Sequence, residues 1–158
     1  MTISFSYDKR QVMQALRYHF ISRPEIRLML IIVNVFALTC AVLFLFRKIA
    51  SFALLTGSFM WLFLMISFWF VMPALVYRRA ATFKDSFTMN FEDDGFSLGN
   101  ERGSRSWPWK ALSTFMESPN FFHLYFDSRS FFLVPKTGFS NSDEIYEMRQ
   151  LLKAKVKK

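Results

Sequence analysis

The sequence is poor in the residues that most often carry metal ions and covalent chemistry. Among 158 residues it has one cysteine, Cys40, and two histidines, His19 and His123. A single cysteine excludes a disulfide within the chain, and no His or Cys set has the spacing of a zinc site. A serine nucleophile in a G-x-S-x-G turn is also missing. We therefore predict that the protein is not an enzyme and has no catalytic residue, metal or cofactor.

Acidic residues are scarce, 12 against 20 basic ones, and charge of either sign is absent from two long stretches. Residues 28–46 and 49–77 contain no Asp, Glu, Lys or Arg. A helix needs about 20 apolar residues to span a bilayer. The sequence therefore predicts transmembrane helices at 28–46 and 49–77, joined by an external loop at 47–48. The second stretch exceeds one span, so Pro73 near its end indicates a kink or an extension into the interface.

The basic residues around these stretches predict the orientation of the hairpin. Cytoplasmic flanks of transmembrane helices carry an excess of Lys and Arg. Only Arg47 and Lys48 lie between the two stretches, whereas eight basic residues flank their other ends: Lys9, Arg10, Arg17, Arg23, Arg27, Arg78, Arg79 and Lys84. We therefore expect both termini in the cytoplasm.

Small residues at i, i+4 spacing predict where the two helices pack. Ala37 and Ala41 lie near the end of the first span, and Ala53 and Gly57 near the start of the second. Such pairs allow close approach of membrane helices, although Ala and Gly are common there for other reasons. Asn34 is expected to form a hydrogen bond between the helices. A transporter is disfavoured, because neither span holds an ionisable residue.

The remaining segments predict a mixed α and β domain. Residues 2–7 alternate polar and apolar side chains as a strand does, and Asp8 can cap an amphipathic helix that completes segment 1–27. Residues 82–158 show short strands between turn signals, then a helix capped by Ser140 or Ser142. We predict an α+β membrane protein. Its small antiparallel sheet or barrel is closed by the C-terminal helix, and the N-terminal strand joins that sheet.

Basic residues next to the second span and at the C-terminus suggest contact with membrane lipids. Each cation near an anionic leaflet contributes about 1 kcal/mol. The alternative is ordinary flanking charge and a solvated tail. The candidate lipid contacts are Arg78, Arg79, Lys153, Lys155, Lys157 and Lys158. Nucleic acid is not an expected partner, because the chain from Arg78 onward has 13 basic and 10 acidic residues.

The C-terminal pattern resembles the YcxB-like family of small bacterial membrane proteins. The resemblance rests on Trp109, Leu112, Glu117, Phe122-His123-Leu124-Tyr125, Phe132-Leu133-Val134-Pro135-Lys136 and Phe139. It implies a multi-pass protein of the bacterial inner membrane with a cytoplasmic pleckstrin-homology-like domain at 82–158. The family has no assigned reaction.

Three functions are compatible with such a protein. The first is a membrane-anchored adaptor that binds a protein partner or the membrane surface, with an exposed strand edge as the docking position and self-association as a further option. The second, implied by resemblance alone, is immunity against a toxin or bacteriocin. The third, a small oligomeric channel, is disfavoured by the uncharged spans.

Overall fold

A computed structural model of the chain describes residues 1–128 and 130–156. The chain divides into two compact units. The first, which we call the β unit, consists of the described residues of Met1–Ala15 and Ala81–Lys158. The second, the helical unit, consists of Leu16–Ala80. Helix α1 (Lys9–Ser22) contributes to both.

Sheet 1 of the β unit pairs the N-terminal strand with strands that follow the helical unit in the sequence. It has the order β1-β2-β3-β4, all antiparallel. Its strands are β1 (Thr2–Phe5), β2 (Phe87–Phe91), β3 (Gly95–Asn100) and β4 (Gly103–Pro108). Because β1 pairs with β2 in the register Ile3↔Met89, the prediction that the N-terminal strand joins the C-terminal domain is confirmed.

Sheet 2 is a separate antiparallel sheet of order β5-β6-β7. It consists of β5 (Thr114–Glu117), β6 (Phe121–Tyr125) and β7 (Phe131–Pro135). The Tyr7 hydroxyl donates to the Leu133 carbonyl at 2.7 Å and so ties the segment after β1 to sheet 2. Burial of this hydroxyl raises the pKa of Tyr7.

The predicted α and β content is confirmed, but the two sheets do not close into a barrel within the described residues. The chain leaves sheet 1 at Pro108, which cannot donate a ladder hydrogen bond, and makes a 3-10 turn at Trp109–Ala111 before β5. The Trp109 indole is buried and donates to the Glu92 carbonyl at 2.9 Å. This turn is the connection between the two sheets.

Helix α5 (Ser142–Lys155) covers the core of the β unit with Met148 and Leu152, both fully buried. The predicted cap at Ser140 or Ser142 is wrong, because Asn141 occupies the cap position. Its side chain accepts from the Glu144 backbone N–H at 2.8 Å, and Glu144 accepts from the Ser140 N–H at 2.8 Å. The predicted Asp8 cap of α1 is confirmed by its hydrogen bond from the Gln11 N–H at 3.0 Å.

The helical unit contains two long apolar helices. The first is α2 (Pro24–Leu45). The second runs over Ser51–Arg79 as α3 (Ser51–Ile66), a π-helical turn (Ser67–Val71) and α4 (Met72–Arg79). Both are long and apolar enough to cross a membrane, which by itself is weak evidence for membrane association. Helix α2 begins earlier than the predicted span because Pro24 suits the first helical turn.

Alternation along β1 predicts that truncating neighbouring side chains changes stability by very different amounts. Ile3 is buried, whereas Ser4 points outward and makes only a hydroxyl contact with Thr88. We expect Ile3→Ala to destabilise the β unit by about 2–5 kcal/mol, and Ser4→Ala to change its stability by about 0.5 kcal/mol or less. Urea unfolding of the full chain in detergent, followed by circular dichroism, measures both. Equal losses from the two variants would contradict this pairing.

Candidate functional site

The second long helix changes its hydrogen-bond pattern at the π-helical turn before Pro73. Proline has no backbone N–H, so the carbonyl four residues earlier, that of Trp69, has no α-helical donor from this position. The Arg17 side chain of α1 supplies a replacement: its Nε donates to the Trp69 carbonyl at 3.0 Å. The Met72 N–H meanwhile bonds back to Ser67, five residues earlier. A cation is therefore fixed on the backbone at the point where the helix is irregular.

Two aromatic rings complete the surroundings of the Arg17 guanidinium. Its central carbon lies 5.6 Å from the centroid of the Trp69 ring and 5.4 Å from that of Phe70. Among the described residues, no carboxylate forms an ion pair with Arg17. Sequence reasoning counted Arg17 only as flanking charge. The overlooked signal is Pro73: because proline has no backbone N–H, the carbonyl of Trp69, four residues earlier, has no helical donor.

Helices α2 and α3 are joined by a polar contact deep in the apolar region. The Trp61 indole donates to the Asn34 side-chain oxygen at 3.3 Å, which confirms the hydrogen bond expected for Asn34. Ala37 and Gly57 of the predicted packing pairs line one cavity of about 320 Å³ between the helices. Ala41 and Ala53 are exposed. One residue of each predicted pair, Ala37 in the first and Gly57 in the second, therefore lies between the helices.

The predicted lipid-contact residues lie at helix ends. Arg78 and Arg79 are exposed in the last turn of α4, and Lys153 is exposed in the last turn of α5. Lys155 is also exposed, but its ammonium group donates to the Asp93 carbonyl at 3.0 Å, so it helps to hold α5. Lys157 and Lys158 lie outside the described residues.

The two histidines lie in different units. His19 in α1 is buried, and burial together with the positive charge of Arg23 lowers its pKa to about 4. His123 in β6 is buried with its Nε2 3.0 Å from the Ser118 hydroxyl oxygen. Within residues 1–128 and 130–156, no group of three His, Cys, Asp or Glu side chains could hold a metal ion.

Glu117 is the centre of an ion cluster in the β unit. Its carboxylate accepts from Lys136 at 2.6 Å and from two nitrogens of Arg149 at 2.7 and 2.8 Å. The hydrogen bonds from Arg149, and then those from Lys136, lower the pKa of Glu117 to about 2. The same contact raises the pKa of Arg149. The cluster links β5 and the turn after β7 to α5, which makes it structural.

The outer face of sheet 1 carries small polar side chains. The register aligns Thr2, Asn90, Ser97 and Ser106 in one row and Ser4, Thr88, Gly99 and Ser104 in the next. An open groove of about 620 Å³ lies along the second row, at Ser4, Thr88 and Gly99, and is also lined by Glu101. No charged side chain stands in either row, so the face offers hydroxyl groups and not a cationic surface.

Fold and geometry together define a class of protein: a helical pair with apolar surfaces, carrying a two-sheet β unit built from both ends of the chain. Residues 91–152 match the family model described as YcxB-like protein. The predicted resemblance to the YcxB-like family is therefore confirmed over this segment, which runs from the end of β2 into α5. No curated protein and no solved structure matches the chain.

The Glu117 cluster predicts a specific dependence of stability on pH. Its folded pKa of about 2 lies below the ordinary value of 4.5, so the charged form stabilises the fold above pH 4.5. This contribution is lost as pH falls from 4.5 towards 2. We expect Glu117→Gln to lower the thermal midpoint at pH 7, with the gap from wild type closing over that interval.

Melting curves of the full chain in detergent between pH 7 and 2 test this expectation. The matched control is Glu147→Gln, because Glu147 is exposed on the same helix as Arg149. That variant should follow wild type throughout. A constant gap for Glu117→Gln at all pH values would count against the ion cluster.

Proposed function

We propose that the protein is a non-enzymatic binding module of the bacterial inner membrane, anchored by α2 and α3 with the β unit in the cytoplasm. The exposure of the long helices carries this proposal. Neither helix has a buried residue, and large apolar side chains such as Leu38 (67% exposed) and Phe52 (80% exposed) cover their outer surfaces. Soluble proteins rarely leave apolar surface of this extent in water, whereas a bilayer covers it.

The pairing of β1 with β2 supports the expected orientation. These strands precede and follow the helical unit in the chain, yet they lie side by side in one sheet. The chain must therefore return to the side from which it started, which two spans achieve and one does not. The excess of basic residues at these ends of the spans favours the cytoplasmic side.

The free edge of β4 supports a binding role for the β unit. This strand ends the order of sheet 1 and pairs only with β3 in the described sheet. Its residues from Gly103 to Ser106 are exposed. Unpaired backbone groups at such an edge accept a strand from another chain, so we propose this edge as the docking position for a protein partner. The two sheets and α5 also suit a pleckstrin-homology-like domain.

Membrane integration and orientation form one testable expectation. The full chain should remain in the membrane pellet after carbonate extraction. A fluorescent protein fused after residue 158 should be active, and alkaline phosphatase inserted in the 46–50 loop should be active outside the cytoplasm. Release of the chain by carbonate would overturn the anchor, and an inactive loop phosphatase together with a non-fluorescent C-terminal fusion would overturn the orientation.

Docking at the β4 edge can be tested by photo-crosslinking in native membranes. A crosslinking amino acid at Ser104 or Ser106 should give an adduct of one defined mass. The control position is Tyr146, which is 57% exposed on α5 of the same unit. Adducts of equal yield at Tyr146, or none at β4, would contradict docking at this edge.

A further inference from the structure

The position of Arg17 along the helical unit is set by the length of the second helix. The loop that joins α2 to α3 holds Arg47 and Lys48, which mark one bilayer boundary. A bilayer core of about 30 Å corresponds to about 20 residues from Ser51, and so reaches about residue 70. Trp69 and Phe70 therefore fall at the opposite boundary, where aromatic side chains favour the interface. Because Arg17 contacts both, its guanidinium lies at headgroup depth.

The hydrogen bonds of Arg17 leave part of its donor capacity unused. A guanidinium has five N–H donors, and the single hydrogen bond of Arg17 in the described structure uses Nε. The terminal nitrogens retain four donors in the planar arrangement that suits two oxygens of a phosphate. The contact to the Trp69 carbonyl and the two flanking rings restrain the side chain before any ligand arrives. Restraint of this kind reduces the entropy lost on binding.

Charge at this end of the helical unit favours an anion. Within residues 16–27 and 78–80, one acidic residue, Glu25, stands against five basic residues: Arg17, Arg23, Arg27, Arg78 and Arg79. Arg27, Arg78 and Arg79 are exposed and form no ion pair among the described residues, so they add attraction without a fixed geometry. Arg17 differs from them because its guanidinium is held on a backbone carbonyl.

We propose that Arg17 binds the phosphate of an anionic membrane lipid, in a site built by the Trp69 carbonyl, the rings of Trp69 and Phe70, and Pro73. This inference rests on the proposed membrane anchor. Pro73 has a defined part in it: it removes the helical donor to Trp69 and so creates the acceptor that positions Arg17. The site would select phosphatidylglycerol over phosphatidylcholine, because the choline group adds a positive charge beside the phosphate.

The test uses the full chain in nanodiscs of phosphatidylcholine with a small fraction of phosphatidylglycerol. Native mass spectrometry of the released protein then gives the ratio of retained lipids. Wild type should retain phosphatidylglycerol in preference, and Arg17→Gln should reduce this preference by about tenfold, the loss expected for a charge-assisted hydrogen-bonded pair. Arg17→Lys, which keeps the charge but not the planar donors, should retain an intermediate preference. Equal preference in wild type and Arg17→Gln would overturn the proposal.

Two further variants distinguish lipid binding at this site from a general effect of positive charge. Arg10→Gln removes the same charge from an exposed position of α1 in the β unit and should match wild type. Pro73→Ala restores the helical N–H to the Trp69 carbonyl and should weaken the preference while keeping every cation. A loss with Arg10→Gln equal to that with Arg17→Gln, or no loss with Pro73→Ala, would overturn the built site.

The remaining measurements distinguish a lipid phosphate from free phosphate. They also distinguish a failure of the Arg17 site from a failure of the membrane anchor. Inorganic phosphate at millimolar concentration should not displace the retained phosphatidylglycerol, and full displacement would overturn a lipid ligand. Flotation of wild type with pure phosphatidylcholine vesicles reports the membrane anchor without using the site. A chain that does not float overturns the proposed function, whereas a chain that floats but lacks the Arg17 effect overturns this inference alone.

Discussion

The antiparallel ladder between β1 and β2 is the constraint on which the rest of the structure depends. It joins residues separated by the whole helical unit, with Thr2 opposite Asn90 and Phe5 opposite Phe87. The apolar faces of these strands complete the core of the β unit, where Ile3 and Met89 are buried. The β unit therefore forms only when the segments before and after the helical unit meet in one sheet.

The second constraint is the excess length of the second helix. A helix of 29 residues is longer than a bilayer core, and the π-helical turn at Ser67–Val71 with Pro73 marks where it changes character. Before this turn the helix is apolar on all sides; after it, α4 ends in Arg78 and Arg79. Because Pro73 supplies no N–H, the Trp69 carbonyl needs a hydrogen-bond donor from elsewhere. Arg17 meets that need from a different helix.

Features encoded locally could be predicted from the sequence, and features that depend on distant contacts could not. The apolar helices, the Asp8 cap and the strand at 2–7 follow from composition and short-range periodicity. The sequence pattern did not decide between a sheet and a barrel, because barrel closure depends on which strands pair. In the described structure β4 and β5 do not pair, and the turn at Trp109–Ala111 lies between them in the chain. Asn141 was missed because three neighbouring residues can all cap a helix. The Arg17 contact joins residues far apart in sequence.

The residues that carry the YcxB-like resemblance have structural roles in this fold. Trp109 holds the turn between the sheets, Glu117 links β5 to α5, and Phe122 packs edge-on against Phe139 at 6.2 Å. Each of these side chains is held by a contact within the β unit. The family match therefore defines the β unit without naming a reaction. The two contacts that we propose for partners, at the β4 edge and at the irregular turn near Trp69, use other residues than those that carry the resemblance.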